Sequence, residues 1–221
     1  MFIGLYGIYD AHHIYEEVEL GEELKKVKTE NKELLYDEVK EISGNIISWI
    51  TIEGTTIDYP VVKGKDNTTY LNKNYKGEYS YVGSIFLDYR NDANFNDNYS
   101  IIYGHNLKKG MFSDISKFKE KHFFDNHLSG ELFLEKGKYK IEILSFSILD
   151  FHDTIAYNSM LNKNQSKKTI FDYFMNNAIN KNEVEFLEEP KFVLLSTCGP
   201  VNRSERHVLL TRLVDYKEYS H

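Results

Sequence analysis

The hydrophobic period of this chain changes at Ser43-Gly44-Asn45, and beyond that point the sequence is a succession of short apolar runs separated by turn residues. Ahead of the break, Ile14, Val18, Leu24, Val27, Leu34, Leu35, Val39 and Ile42 recur largely at steps of three and four, with Glu and Lys between them. That spacing predicts one amphipathic helix, or two if Gly21 or Asn31 interrupts it. After the break, residues 46–52 pass through Glu53-Gly54-Thr55-Thr56 into residues 57–62, the pattern of a hairpin. Residues 83–87 and 99–103 read as short strands with Asn- and Asp-rich loops between them. Residues 138–146 alternate, with Tyr139, Ile141 and Ile143 on one face and Lys138, Lys140 and Glu142 on the other. Residues 166–178 predict a further helix that buries Ile170, Phe171, Phe174 and Ala178, and strands at 192–197 and 207–214 close the chain. Many short strands with few helices predict a mainly β (α+β) fold, a barrel or sandwich with helical additions.

A chain of 221 residues with 41% hydrophobic content has the material for one large domain, or one domain with an appendage. The net charge of −7 and the lack of a basic stripe exclude nucleic acid as the expected partner. Residues 1–9 are entirely apolar or aromatic, yet a membrane span needs about 20 such residues. The segment reads either as a surface stretch or as the outer end of a membrane helix.

Cys198 is the single cysteine, so no intrachain disulfide is available to it. It ends an apolar run just before Gly199-Pro200, with Arg203 and Arg206 close behind. A nearby cation favours the reactive thiolate, but a free Cys is equally at home as a small buried hydrophobe. Its own context leaves both readings open. A thiol nucleophile needs an acid–base partner and an oxyanion donor. Among eight histidines, His105 stands out in Tyr103-Gly-His-Asn106, just past a strand and after a glycine that permits a tight bend. His122 and His127, five apart, are poorly spaced for one helical face, and the Asp92-Ala-Asn94-Phe-Asn96 run has Asp97 where a calcium loop needs Gly. No metal site and no cofactor is expected.

In order along the chain, Ile57-Asp-Tyr-Pro-Val-Val62, Asp66-Asn67 with Tyr70-Leu71, Gly83-Ser-Ile-Phe86 with Asp88 and Arg90-Asn91, Tyr103-Gly-His-Asn106, Met111-Phe112, and Leu195-Ser-Thr-Cys198 with Arg206 resemble the blocks of class B sortases. These are cysteine transpeptidases of Gram-positive surfaces. The resemblance runs from about residue 45 to the end. It implies a closed eight-stranded β-barrel with N-terminal helices and an extra helix before the penultimate strand. On that reading residues 1–9 are the remnant of a membrane anchor or disordered, 10–44 form a helical segment, and 45–221 form the catalytic barrel.

The resemblance also implies roles. Cys198 attacks the carbonyl of a C-terminal sorting signal and forms a thioacyl enzyme, His105 protonates the leaving amine and deprotonates the incoming one, and Arg206 holds the substrate and stabilises the oxyanion. Arg203 and Arg212 also follow the cysteine, but Arg206-His-Val-Leu-Leu matches the family's placement best. Asn67, Leu71, Tyr103 and Ser196 are expected to line the groove for the sorting motif, walled by the 166–178 helix and the loop near residues 153–157. Leu71 and Tyr103 fit equally well as plain core residues. Expected partners are surface proteins bearing sorting signals and an amine of a peptidoglycan precursor or cross-bridge. The implied location is the cell membrane, single-pass, with the catalytic domain on the extracytoplasmic face and the anchor largely absent from this chain. The alternative is a sortase-like cysteine peptidase that mainly hydrolyses, or that polymerises pilins. At about pH 7.5 an unperturbed thiol and imidazole are each roughly one tenth charged, so about 1% of molecules would hold thiolate and imidazolium together. A slow enzyme with a bell-shaped pH–rate profile is expected.

Overall fold

The computed structural model describes residues 22–27, 35–107, 109–158, 167–198 and 204–219. Two short helices, α1 (Glu22–Lys25) and α2 (Tyr36–Ile42), precede the strands β1 (Ile46–Ile52), β2 (Asp58–Lys63), β3 (Ile85–Leu87) and β4 (Tyr99–Tyr103). A 3-10 helix (Ser113–Lys119) and α3 (Lys121–Asn126) lead to β5 (Ser129–Phe133) and the long β6 (Gly137–Asp150). Helix α4 (Lys167–Asn176), the two-residue β7 (Asn180–Lys181), β8 (Lys191–Cys198) and β9 (Glu205–Glu218) complete the described chain. The points Gly21 and Asn31, where a helix break was expected, lie outside the described residues, as does the 1–9 segment.

The strands form one sheet in the order β5-β1-β2-β3-β4-β8-β9-β6-β7, and a β5–β6 pairing closes it. Eight strands therefore make the ring, as expected, and β7 hangs outside on Ser145 and Phe146 of β6. Closure needs curvature. The β6–β9 seam supplies some of it through register shifts at Lys138/Lys140 and Ile143/Ser145. The first shift coincides with Asp215 at φ +50, a left-handed conformation that Asp tolerates better than most residues.

Both faces of the central strands are covered, which explains apolar runs where half-buried strands would alternate. In β4, Ile102 points into the barrel with Val193, Leu195, Leu209 and Ile143. Its neighbours Tyr99 and Ile101 point outward, under Ile170, Phe171 and Phe174 of α4 together with Phe192, Leu194 and Val208. Helix α4 stops at Asn176, so Ala178 falls past its end and is only half-buried, contrary to expectation. On the other flank, Leu24, Val27, Tyr36 and Val39 cover Ile46, Trp49, Val62 and Phe86. Two layers thus lie against the outer wall, with a gap between them over β3, β4 and β8.

Among the described residues no helix is long and apolar enough to cross a membrane. The longest, α4, has 10 residues, about 15 Å against a hydrocarbon thickness of about 30 Å. The expectation of a single-pass membrane location through an N-terminal anchor is corrected accordingly.

Candidate active site

Strands β4 and β8 run parallel with Tyr103 opposite Ser196, and the Gly104 N–H donates to the Ser196 carbonyl at 3.1 Å. Both strands leave the sheet at the same edge, and His105 and Cys198 each come two residues past that pair. The next strand, β9, is antiparallel to β8 and sets Arg206 opposite Cys198. Adjacent strands are about 4.8 Å apart. Cys198 and Arg206 therefore sit on neighbouring strands and His105 just past the end of a third, with Cys198 in the middle. Arg212 lies midway along β9, at the far end of its pairing with β8, opposite Phe192, where it donates to Glu142 at 2.6 Å; Arg203 lies outside the described residues.

Gly104 serves a different purpose from the tight bend expected of it. A Cβ there would meet the Phe112 ring at 2.7 Å, and Phe112 is fully buried. The missing side chain lets the chain after β4 fold down onto that ring. The Phe112 N–H then donates to the His105 carbonyl at 3.1 Å.

A cavity of about 370 Å³ occupies the gap between the outer layers. Asn67 and Leu71, from the 64–84 loop, form one wall; Phe151 and Tyr157 form the other. Phe86, Arg90, Tyr103 and Ser196 make its floor, and His105, Thr197 and Arg206 stand at its end. Six of the seven expected site residues border this one cavity, and the backbone of the seventh, Cys198, joins Thr197 and pairs with Arg206. Leu71, at 42% exposed, is no core residue. Nor is Tyr103, whose hydroxyl is committed to a floor network.

That network centres on Asp88, which is fully buried. The Arg90 guanidinium grips it with two of its nitrogens, Nε at 2.8 Å and Nη2 at 2.7 Å. Asn67 Nδ2 donates at 2.9 Å and the Tyr103 hydroxyl at 3.1 Å. Burial works to raise the Asp88 carboxyl, but the hydrogen bonds from Arg90 and Asn67 outweigh it and hold the group below the usual carboxylate range. Burial, then the Asp88 charge, pushes the Tyr103 phenol far above its ordinary value. Tyr103 therefore stays a neutral donor to Asp88. Arg90 Nη2 also donates to the Tyr157 carbonyl at 3.2 Å, and the Tyr157 hydroxyl meets Ser196 Oγ at 2.9 Å. One buried carboxylate thus ties the floor to both walls.

At the end of the cavity the Arg206 guanidinium lies 5.3 Å from the centre of the Phe151 ring, with Nη1 donating to the Glu205 carbonyl at 3.0 Å. His105 Nε2 lies 2.9 Å from the Leu71 carbonyl oxygen. His207, next to Arg206, points the opposite way into the barrel, where Ser116 Oγ meets its Nδ1 at 2.9 Å. Burial lowers the His207 pKa below its ordinary value.

Sequence reasoning brought out His105, Cys198 and Arg206 but missed Asp88 and Arg90 as parts of the floor, and Phe151 as a partner of Arg206. The signal for the first two was an Asp-x-Arg at the exit of a strand. Phe151 had none, because its role exists only once β6 pairs with β9.

The closed eight-stranded barrel with helices laid on its outer wall is the fold of class B sortases. A class B sortase of Streptococcus pyogenes involved in pilus biogenesis superposes with a TM-score of 0.75 at 34% identity, covering 81% of this chain and 97% of that one. A profile of the sortase domain matches residues 50–214, and the chain belongs to the sortase family. Sortase B of Listeria monocytogenes is 32% identical over 171 residues, covering 73% of this chain and 65% of that protein's length. Sortase B of Staphylococcus aureus is 27% identical over 183 residues, covering 81% of this chain and 74% of that protein. Class B sortases are cysteine transpeptidases that anchor or polymerise surface proteins. Family membership places this chain in that enzyme class.

Proposed function

We propose that this chain cleaves the C-terminal sorting signal of surface proteins through a thioacyl intermediate on Cys198, and transfers the acyl group to an amine of a peptidoglycan precursor or cross-bridge. The observation that supports it is the placement of His105, Cys198 and Arg206 at the edge of three adjacent strands, at the end of one cavity. Cys198 as thiolate attacks the peptide carbonyl, and the oxygen takes the negative charge as the C–S bond forms. Arg206, always charged and with a planar fork of donors, stabilises that oxyanion. His105 as imidazolium protonates the leaving amine as the C–N bond breaks. In the second half it takes a proton from the incoming amine, a new C–N bond forms, and the thiolate is released. Asn67, Leu71, Tyr103 and Ser196 contact the sorting motif along the cavity.

The test is a panel of fluorogenic sorting-motif peptides given to wild type and Cys198→Ala, with and without an amine acceptor, and products identified by mass. Wild type is expected to form acceptor-linked product and Cys198→Ala none. Cleavage by Cys198→Ala would refute the nucleophile. Free acid as the sole product in the presence of acceptor would refute transfer and leave a hydrolase.

A further inference from the structure

The hydrogen-bond partner of His105 is a backbone carbonyl. A carbonyl oxygen can only accept, so at 2.9 Å from Leu71 O the Nε2 atom carries the proton, and in the neutral ring Nδ1 keeps the lone pair. The carbonyl is itself held in place. Gly83 sits behind it at φ +62, and a Cβ there would lie 2.6 Å from Leu71 O and 2.7 Å from Tyr70 O. The Ser84 N–H fastens the same turn by donating to Tyr70 O at 3.0 Å. Leu71 faces two ways at once, with its side chain bordering the cavity and its carbonyl on the imidazole.

We propose that the Leu71 carbonyl, backed by Gly83, orients His105 and fixes its Nε2–H tautomer, so that Nδ1 is the nitrogen that exchanges protons with the leaving and entering amines. Leu71 is on this view a positioning residue as well as a wall of the cavity. The inference rests on the acid–base reading of His105. The proton balance is simple: imidazolium Nδ1–H passes its proton to the departing amine nitrogen, and neutral Nδ1 takes one from the incoming amine. Nε2–H stays on Leu71 O throughout. A carboxylate in that place would also stabilise the imidazolium by its charge; a carbonyl has no net charge and supplies chiefly orientation. Because the carbonyl belongs to the residue whose side chain lines the cavity, a peptide that presses on Leu71 acts on the geometry of the acid as well.

The test is a long-range 1H–15N correlation spectrum of the histidine-labelled protein with the ring neutral, His105 being assigned by its loss in His105→Gln. Wild type is expected to show His105 as a single Nε2–H tautomer; an Nδ1–H tautomer would overturn the proposal. Gly83→Ala forces the carbonyl to move. It is expected to shift both ring nitrogens toward the averaged values of free imidazole and to lower kcat roughly 10- to 100-fold, the scale of a displaced catalytic group. Leu71→Ala removes the side chain but keeps the carbonyl, and is expected to raise KM with the tautomer unchanged. If Gly83→Ala folds and loses turnover while its His105 spectrum stays that of wild type, the proposal fails. Should that variant not fold, the wild-type spectrum alone decides. An Nε2–H tautomer in a protein that cleaves no peptide would refute the proposed function and with it the proton transfer at Nδ1, leaving only the orientation of the ring by the Leu71 carbonyl.

Discussion

Tyr103 and Ser196 face each other across the parallel pairing of β4 with β8, and this single register decides which residues meet beyond it. A slip of one residue would bring Asn106 or Gly104 to the level of Cys198 and leave His105 out of step. The pair is locked on both sides of the sheet. Tyr103 is tied to Asp88 and Ser196 to Tyr157, while Ile102 and Leu195 sit in the barrel core.

Asp88→Asn removes the charge that Arg90 grips in the floor. Breaking a buried pair costs about 3 to 5 kcal/mol; Arg90 keeps some contact with water, so roughly 2 to 3 kcal/mol is expected after allowing for screening. Urea unfolding measures that loss. The KM for a sorting peptide should rise in the same variant, since Asn67, Arg90 and Tyr103 lose their common anchor. Tyr103→Phe removes one donor alone and should cost about 1 kcal/mol.

Arg206→Ala should lower kcat about 100- to 1,000-fold, the effect of removing an oxyanion donor. Arg206→Lys restores the charge but not the fork and should recover only part of the loss. Single-turnover measurement of thioacyl formation reads the first of the two steps in which an oxyanion develops.

Phe151→Ala takes the ring from the Arg206 guanidinium. An exposed cation–π contact is worth about 0.5 to 1 kcal/mol, so kcat/KM should fall roughly two- to fivefold. Phe151→Tyr keeps a ring and should retain most of the activity. Equal losses in the two variants would show that stacking is not what holds Arg206.

His207 makes stability depend on pH below neutrality. Its folded pKa is depressed by burial from an ordinary value near 6.5, so the unfolded chain binds the proton more readily. Stability should be level above about pH 6.5, decline as pH falls below it, and level off again once the folded-state pKa has been passed. His207→Gln should abolish this one component of the slope. Denaturant titrations of the two proteins at several pH values compare them.

The sequence made legible what depends on local pattern. Residues 57–62, 99–103 and 192–197 are apolar because both faces are covered, and such runs are visible without a structure. His105 and Cys198 were recognisable as residues at strand ends. Ser129–Phe133 was not found as a strand: a Ser-Gly-Glu start has no period of its own, and the segment is extended because β1 and β6 pair with it on either side. Asp88 stood in one of the family blocks without a role, and only the approach of Asn67 and Tyr103 from elsewhere makes it an anchor. The contact at Leu71 was hidden for a deeper reason. A carbonyl oxygen is common to every residue, and Gly83 is the only trace it leaves in the sequence.

The strand order has a consequence for the order of folding. His105 lies on an element that is complete early in the chain, whereas its neighbours on β8 and β9 belong to the last described segments, and β9 also forms the long seam with β6. Contacts between such distant segments form slowly. A nascent chain, or one truncated within β9, carries the thiol without its partners in place. Reactivity of Cys198 toward peptide should therefore emerge only with closure of the ring, so that completion of the fold licenses the chemistry.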